Sequence, residues 1–327
     1  MRAAKVETKF TKMFNIDYPI ISAPMFLVSS VETVVATGQA GGLGAFPAFN
    51  YRPIENYAKA IKDIKSQSSA PFAINIIVQS SNKFLEQHIE HALENEVPMI
   101  ITSLGGPKEV IKRAEGTKTK IFCNVVGLEH AKKVADLGAD GLISAGAGAG
   151  GHAGETSPFA LIPYLKKHVD LPLIAAGSIV DGKGMAAALA LGADAIYMGT
   201  RFIASKESTV DQDYKNAIIN AHPQDIVNTA QVDGFPGNFI RTPLLEKMGI
   251  EPGLIESLAS HNKKVKRAIS LFRAGKSLLA PDKTKVSYKT VYSAGHGVAM
   301  IDEILSADEI IQNTVNEYRQ LLQNLPK

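Results

Sequence analysis

Short apolar runs recur along the first two thirds of the chain, and between them apolar residues return every three or four positions. The runs at 19–23, 43–46, 72–77, 99–102, 120–125, 141–144, 172–176 and 195–198 are rich in Ile, Val, Ala and Phe on both parities. A strand with one solvated face alternates, so runs apolar on both parities predict parallel strands buried on both faces. The segments 31–39, 53–65, 83–95, 107–115, 129–137, 158–168 and 182–191 carry the helical period instead. Eight strands alternating with helices over roughly 200 residues is the rhythm of an α/β chain closed into a (β/α)8 TIM barrel. A doubly wound open sheet is the competing arrangement of the same units.

Two units echo each other. Leu137-Gly138-Ala139-Asp140 and Leu191-Gly192-Ala193-Asp194 each end a helix and lead into a strand. The glycine suits the left-handed position that stops a helix, and Ala-Asp makes the turn into the strand. Beyond residue 198 the pattern changes. Residues 225–287 are more polar and are broken by Gly234, Pro236, Gly237, Pro243, Pro252 and Pro281. They are read as a smaller, partly helical lid inserted after strand eight, capping a barrel made of 1–224 plus 288–327. Gly234-Phe235-Pro236-Gly237-Asn238 is read as a surface turn or as a loop that approaches the site, and 298–305 and 307–325 as closing helices.

Composition adds mainly exclusions. The 327 residues are 45% hydrophobic and 20% charged, with 35 basic against 32 acidic residues and a net charge of +3. No basic cluster argues for nucleic acid. Cys123 is the only cysteine, so neither an intramolecular disulfide nor a cysteine zinc site can form. Residues 1–14 are charged and lack a leader's apolar run, and no stretch reaches the ~18–20 apolar residues of a membrane span. The expectation is a cytoplasmic protein. His88 and His91 lie on a polar helix and are read as solvent-facing; His130, His168, His222 and His261 stand in ordinary surroundings. No spacing of His, Glu and Asp suits a catalytic metal.

In a (β/α)8 barrel the chemistry sits just past the C-terminal ends of the strands. After the seventh and eighth runs come Ala176-Gly177-Ser178 and Tyr197-Met198-Gly199-Thr200, one helix apart. Each is either a tight turn or a place where backbone N–H groups face a phosphate; two at adjacent late strands favour the phosphate. After the sixth run, Ala145-Gly146-Ala147-Gly148-Ala149-Gly150-Gly151-His152 offers backbone that can approach a flat ligand, and His152 is its one chemically active side chain. His152 is read as catalytic or substrate-binding, against the alternative that it only orders the loop. Ala23-Pro24-Met25 follows the first run, where small groups and a thioether suit a planar ring. Asn75, late in the third run, brings an amide that both donates and accepts.

These segments, with Ala40-Gly41-Gly42-Leu43-Gly44 and Tyr292-Ser293-Ala294-Gly295-His296-Gly297, stand in the order seen in nitronate monooxygenases, formerly called 2-nitropropane dioxygenases. The chain resembles that family over nearly its whole length. The resemblance implies a barrel holding FMN non-covalently under a lid. Ala23, Pro24 and Met25 would underlie the flavin ring, and Asn75, Ala145, Gly150 and Gly151 would contact or line the cofactor. Gly177, Ser178 and Tyr197 to Thr200, including Met198 and Gly199, would hold its phosphate, with His152 as the active-site histidine. It further implies oxidation of alkyl nitronates with O2 to a carbonyl compound and nitrite, by a small-molecule enzyme that can assemble as a homo-oligomer. NAD(P)H-dependent enoyl-thioester and quinone reductases share the scaffold and the Gly-Gly-His loop, and a non-enzymatic phosphate-binding barrel is a third reading. Three positions depart from the family pattern. Ala145 stands for a common Gln, Gly148 for a common acidic residue, and Gly177-Ser178 for Gly-Gly.

Overall fold

The computed structural model describes residues 3–232, 234–250 and 290–325. Eight parallel strands close into a barrel: β1 (Ile20–Ser22), β2 (Leu43–Pro47), β3 (Phe72–Ile77), β4 (Met99–Ser103), β5 (Lys120–Val125), β6 (Gly141–Ala145), β8 (Leu173–Ala176) and β9 (Ala195–Met198). The two-residue strand β7 (Gly151–His152) lies outside the ring. Closure comes from β9 pairing with β1, with Ile20, Ile21 and Ser22 beside Ile196, Tyr197 and Met198. The eight expected strands are therefore present, and the open-sheet alternative is excluded.

One parity of each strand fills the barrel and the other faces the helices. Ile21, Leu43, Ala45, Ala73, Met99, Ile101, Phe122, Ile143, Ile174 and Ala195 form the inner cluster. Phe122 fits because Gly141 on the neighbouring strand has no Cβ, which would overlap its ring. The charged N-terminus hides a plug. Helix α1 (Lys9–Phe14) starts at Thr8 with a reciprocal capping box to Thr11, and its Phe10 and Phe14 enter the inner cluster. Phe10 meets Phe122 edge-on at 5.8 Å between centroids.

The outer wall is built by α2 (Val31–Gln39), α3 (Ile54–Gln67), α4 (Leu85–Glu94), α5 (Lys108–Ala114), α6 (Leu128–Asp136), α7 (Pro158–His168) and α8 (Gly182–Ala190). The repeated Leu-Gly-Ala-Asp units have a specific use. Gly138 and Gly192 take φ of +93° and +103°, stopping α6 and α8. Each following Asp then accepts the backbone N–H of a neighbouring strand: Asp140 from Ile121 at 2.8 Å, Asp194 from Leu173 at 2.9 Å. After β9 come the short α9 (Thr200–Ile203), α10 (Gln212–Asn220), β10 (Ile226–Thr229), β11 (Gly237–Ile240) and α11 (Pro243–Met248). The chain returns through α12 (Ala307–Asn324), whose Ala307, Ile310, Ile311, Thr314 and Val315 bury one stripe against α2 and α8. Gly182 donates to Glu317 at 2.8 Å, fixing that contact.

Three expectations change. Residues 298–305 are not a helix: a 3-10 turn spans His296–Met300, and the chain then runs extended past Arg201, which donates to the Glu303 carbonyl at 2.6 Å. The buried guanidinium thus binds the return of the chain to α9. The inserted segment opens with strands β10 and β11 ahead of α11; its 251–287 portion lies outside the described residues. His88 is not solvent-facing but 2% exposed. Its ring is wedged against Tyr57 at 5.0 Å, Phe49 at 5.3 Å and Phe84 at 6.2 Å. The helix is polar on average, but His88, Ile89 and Ala92 form its inward stripe. Among the described residues no helix is long and apolar enough to cross a membrane, and no group of three His, Cys, Asp or Glu could hold a metal.

Burial, with His91 adding repulsion, pushes His88 down to about 4 from 6.5. Below pH 6.5 the unfolded chain binds a proton that the folded chain refuses until about pH 4, so this group removes stability as pH falls through that window. At ~1.36 kcal/mol per pH unit, the loss is on the order of 3 kcal/mol. Urea unfolding at pH 7 and pH 4 should show a smaller acid loss in His88→Leu than in wild type, by about that amount; equal losses would refute the assignment.

Candidate active site

The strand ends converge on one mouth of the barrel. Asn75, Ser103 and Asn124 stand two residues beyond the inward-facing Ala73, Ile101 and Phe122 and form its polar layer. The Asn75 amide donates to Ser103 Oγ at 2.5 Å and to the Ile101 carbonyl at 3.3 Å, and Asn124 donates to Ser103 Oγ at 2.8 Å. The Ser103 hydroxyl hydrogen and both amide oxygens are left to meet a ligand edge. Ser103 and Asn124 went unnoticed in the sequence, although the inward parity of β4 and β5 points to both.

On the opposite side, Ala23 and Met25 lie beneath the β9 turn. A Cβ on Gly199 would stand 3.7 Å from Met25 Sδ and 3.8 Å from Ala23 Cβ. The segment carrying Ala23, Pro24 and Met25 is tied by two side chains. Ser29 Oγ accepts from Met25 N at 2.8 Å and donates to the Ala23 carbonyl at 3.1 Å, while Asn50 donates to the Met25 and Ser29 carbonyls at 3.0 and 2.8 Å. Ala23 N reaches the Met198 carbonyl at 3.0 Å, so these two predicted segments are neighbours. Tyr197 faces the inner cluster, and burial holds its phenol above the usual range.

The β8 turn takes left-handed backbone at two successive residues, Gly177 (φ +128°) and Ser178 (φ +52°). Ser178 Oγ donates to the Gly148 carbonyl at 3.2 Å. Gly148 has φ of +84°, and a Cβ there would run into Ser178 Oγ. The two departures from the family pattern are thus one change: the serine hydroxyl occupies the space that a side chain at 148 would need. Thr200 is buried, and its Oγ1 accepts from Gly295 N at 3.0 Å. Its oxygen therefore holds the 293–297 segment, while its hydroxyl hydrogen remains available.

Ala145 ends β6 beside Ala176, and the glycine loop follows. It packs backbone against backbone: a Cβ on Gly150 would stand 2.9 Å from Ala294 C and 3.0 Å from Gly295 N. His152 is exposed at the mouth, in register with Gly237 of β11, and its ring lies 5.7 Å from Phe235 at 71°. Residues 234–236 stay a bend, with Phe235 beside the His152 ring, so the segment approaches the histidine loop. Gly237 and Asn238 open strand β11, because β7 and the Ser293 bridge offer backbone partners on one side and β10 on the other.

A closed barrel presenting these groups at the strand ends falls, by comparison with known proteins, among the oxidoreductases that carry a flavin on this scaffold. Residues 7–317 match the family described as nitronate monooxygenase, and the chain belongs to that family. A (3aS,4S,5R,7aS)-5-hydroxy-7a-methyl-1-oxo-octahydro-1H-indene-4-carboxyl-CoA dehydrogenase of Rhodococcus jostii is 32% identical over 263 residues, 79% of this chain and 73% of that protein. A probable nitronate monooxygenase of Staphylococcus saprophyticus is 28% identical over 75% of this chain and 81% of its own length. FabK from Thermotoga maritima superposes with a TM-score of 0.83, at 31% identity and 98% coverage of both chains.

Gly150→Ala tests the close approach without a positive φ to confuse it. The added methyl should force the 294–295 backbone away, cost about 1–3 kcal/mol of stability and lower the flavin content of the purified protein. Wild-type melting temperature and flavin content together would show that the contact is slack.

Proposed function

We propose that this chain is an FMN-dependent oxidoreductase that reduces an enoyl thioester with NAD(P)H, with His152 binding the thioester carbonyl. The observation that carries the reading is the placement of His152: it is held by strand pairing at the rim of a mouth whose floor is the Asn75–Ser103–Asn124 layer. That layer fits a flavin, because a heteroatom-rich ring edge needs donors and acceptors side by side. Ala23 and Met25, packed beside Gly199, would meet its ring with small groups and a thioether. Ser178 and the Gly199–Thr200 turn would hold the phosphate.

When bound, the flavin supplies hydride transfer. The chain's own groups do the rest. His152 donates a hydrogen bond to the thioester oxygen and stabilises negative charge developing there. Gly150 and Gly151 let backbone lie close to the ring plane. Leu104 and Val126, at the ends of β4 and β5, and Phe235 beside His152 remain 43%, 53% and 40% exposed, an apolar rim suited to an acyl chain. A Cβ on Gly154 would stand 3.3 Å from Val126 Cβ, so this rim borders the histidine loop. The relative at 32% identity is named for a CoA thioester, which supports the same substrate class.

A second reading, oxidation of alkyl nitronates with O2, is favoured by the family match and by the relative named for that activity. There His152 would pair with the nitronate oxygens or take a proton from a nitroalkane carbon. Ala145 and Gly148 weaken it, since the side chains there add no polar group beside the histidine. Anaerobic mixing of the holoenzyme separates the two. Rapid flavin bleaching by NADH or NADPH, followed by reoxidation with an enoyl thioester, is expected; no bleaching, together with nitrite release from nitronates in air, would establish the second reading, and reoxidation by quinone alone would redirect the substrate class. His152→Asn should keep its flavin and lose about 10²-fold or more in turnover; undiminished turnover would remove His152 from the mechanism.

A further inference from the structure

The loop that carries His152 has no side chains with which to hold itself, since Gly146 to Gly151 are only glycine and alanine. Its ends are fixed by Gly146 N to the Ala176 carbonyl at 3.0 Å and Gly154 N to the Ala145 carbonyl at 3.0 Å. Its centre is fixed from outside, the Gly148 carbonyl by Ser178 Oγ and His296 N and the Ala149 carbonyl by Asn238 of β11. Asn238 is 4% exposed. Its amide donates to the Ala149 carbonyl at 2.7 Å and its side-chain oxygen accepts from Asn228 at 2.9 Å. Its carbonyl accepts from Ala294 N at 3.3 Å and Ser293 Oγ at 3.4 Å, and its backbone is in register with Gly151, the residue before His152.

We infer that Asn238 is a positioning residue for His152: its amide fixes the Ala149 carbonyl and its backbone pairs with Gly151, both just ahead of the histidine, so that the imidazole keeps one place over the mouth. The inference rests on the reading of His152 given above. A buried amide satisfied on both ends holds a unique geometry, whereas an alanine leaves the Ala149 carbonyl and the Asn228 amide without this partner. The consequence is specific. Loss of Asn238 loosens the histidine and leaves the Asn75–Ser103–Asn124 floor and the Ser178 turn in place, so the flavin stays bound while turnover falls.

The test is a double-mutant cycle on flavin-loaded enzyme, with turnover, flavin affinity and melting temperature measured for Asn238→Ala, His152→Asn and the double variant. The expected result is a fall in kcat on the order of tenfold to hundredfold in Asn238→Ala, with flavin affinity within about twofold of wild type and no further fall when Asn238→Ala is added to His152→Asn. A residue of merely structural importance would lower turnover by the same factor in both backgrounds, and that result overturns the inference. Where Asn238→Ala does not fold, Asn228→Ala removes a single partner of the same amide and should give a smaller fall with the same dependence on His152; equal falls in both backgrounds again overturn it. Loss of turnover in His152→Asn with wild-type turnover in Asn238→Ala overturns this inference alone, whereas full turnover in His152→Asn overturns the reading of His152 and this inference with it.

Discussion

The mouth of this barrel is organised around one close approach of main chain to main chain. Residues 148–150 of the glycine loop lie against 294–296 so tightly that a Cβ on Gly150 or Gly295 would collide with the facing backbone. The Gly148 carbonyl accepts from His296 N at 3.1 Å and from Ser178 Oγ at 3.2 Å. Through these contacts the β6 loop, the β8 turn, the β9 turn and the 293–297 segment become one object. Thr200 ties the same segment to β9, and Tyr214 of α10 donates to the Ser293 carbonyl at 2.6 Å. Five sequence-distant segments are thereby fixed with few side chains, which leaves the surface near the loop free for a flat ligand.

The same constraint explains the local chemistry. A side chain at 148 would be strained by the positive φ and would have to displace the Ser178 hydroxyl, and none stands on this loop ahead of His152 beyond the alanine methyls. Polar groups are concentrated instead on the floor of the mouth, and apolar groups on the rim at Leu104, Val126 and Phe235. That division, a polar floor for a heteroaromatic edge and an apolar rim around one imidazole, suits hydride chemistry on a substrate with an extended hydrocarbon part.

Much of the barrel was legible because its signals are local. Strand runs apolar on both parities, helix stops at Gly138 and Gly192, and glycines after β8 and β9 all depend on neighbours within a few residues. The plug formed by Phe10 and Phe14 was hidden because a six-residue helix gives little periodicity. His88 was misplaced because the average polarity of α4 conceals a narrow inward stripe. Residues 298–305 are held by partners distant in sequence, Arg201 at the Glu303 carbonyl and Lys206 N at the Leu305 carbonyl, which no local pattern announces. Gly237 and Asn238 resembled part of a turn because local composition does not reveal the strands that pair on both sides of them.

The sequence by itself determined the eight alternating strand and helix units, the strand ends where chemistry gathers, and the small residues that line them, while the pairing of β9 with β1 closed the ring. Periodicity and helix stops are enforced by backbone sterics and burial within single units, so they survive without knowledge of the fold. Only the tertiary structure decided that Ser103 and Asn124 join Asn75, that Ser178 takes the room of residue 148, and that Asn238 reaches across to the loop of His152. Those outcomes depend on hydrogen bonds and excluded volume between segments as much as 89 residues apart, as from Ala149 to Asn238. Such pairings are set by barrel closure and by the return of the chain over the mouth, and no local pattern carries them.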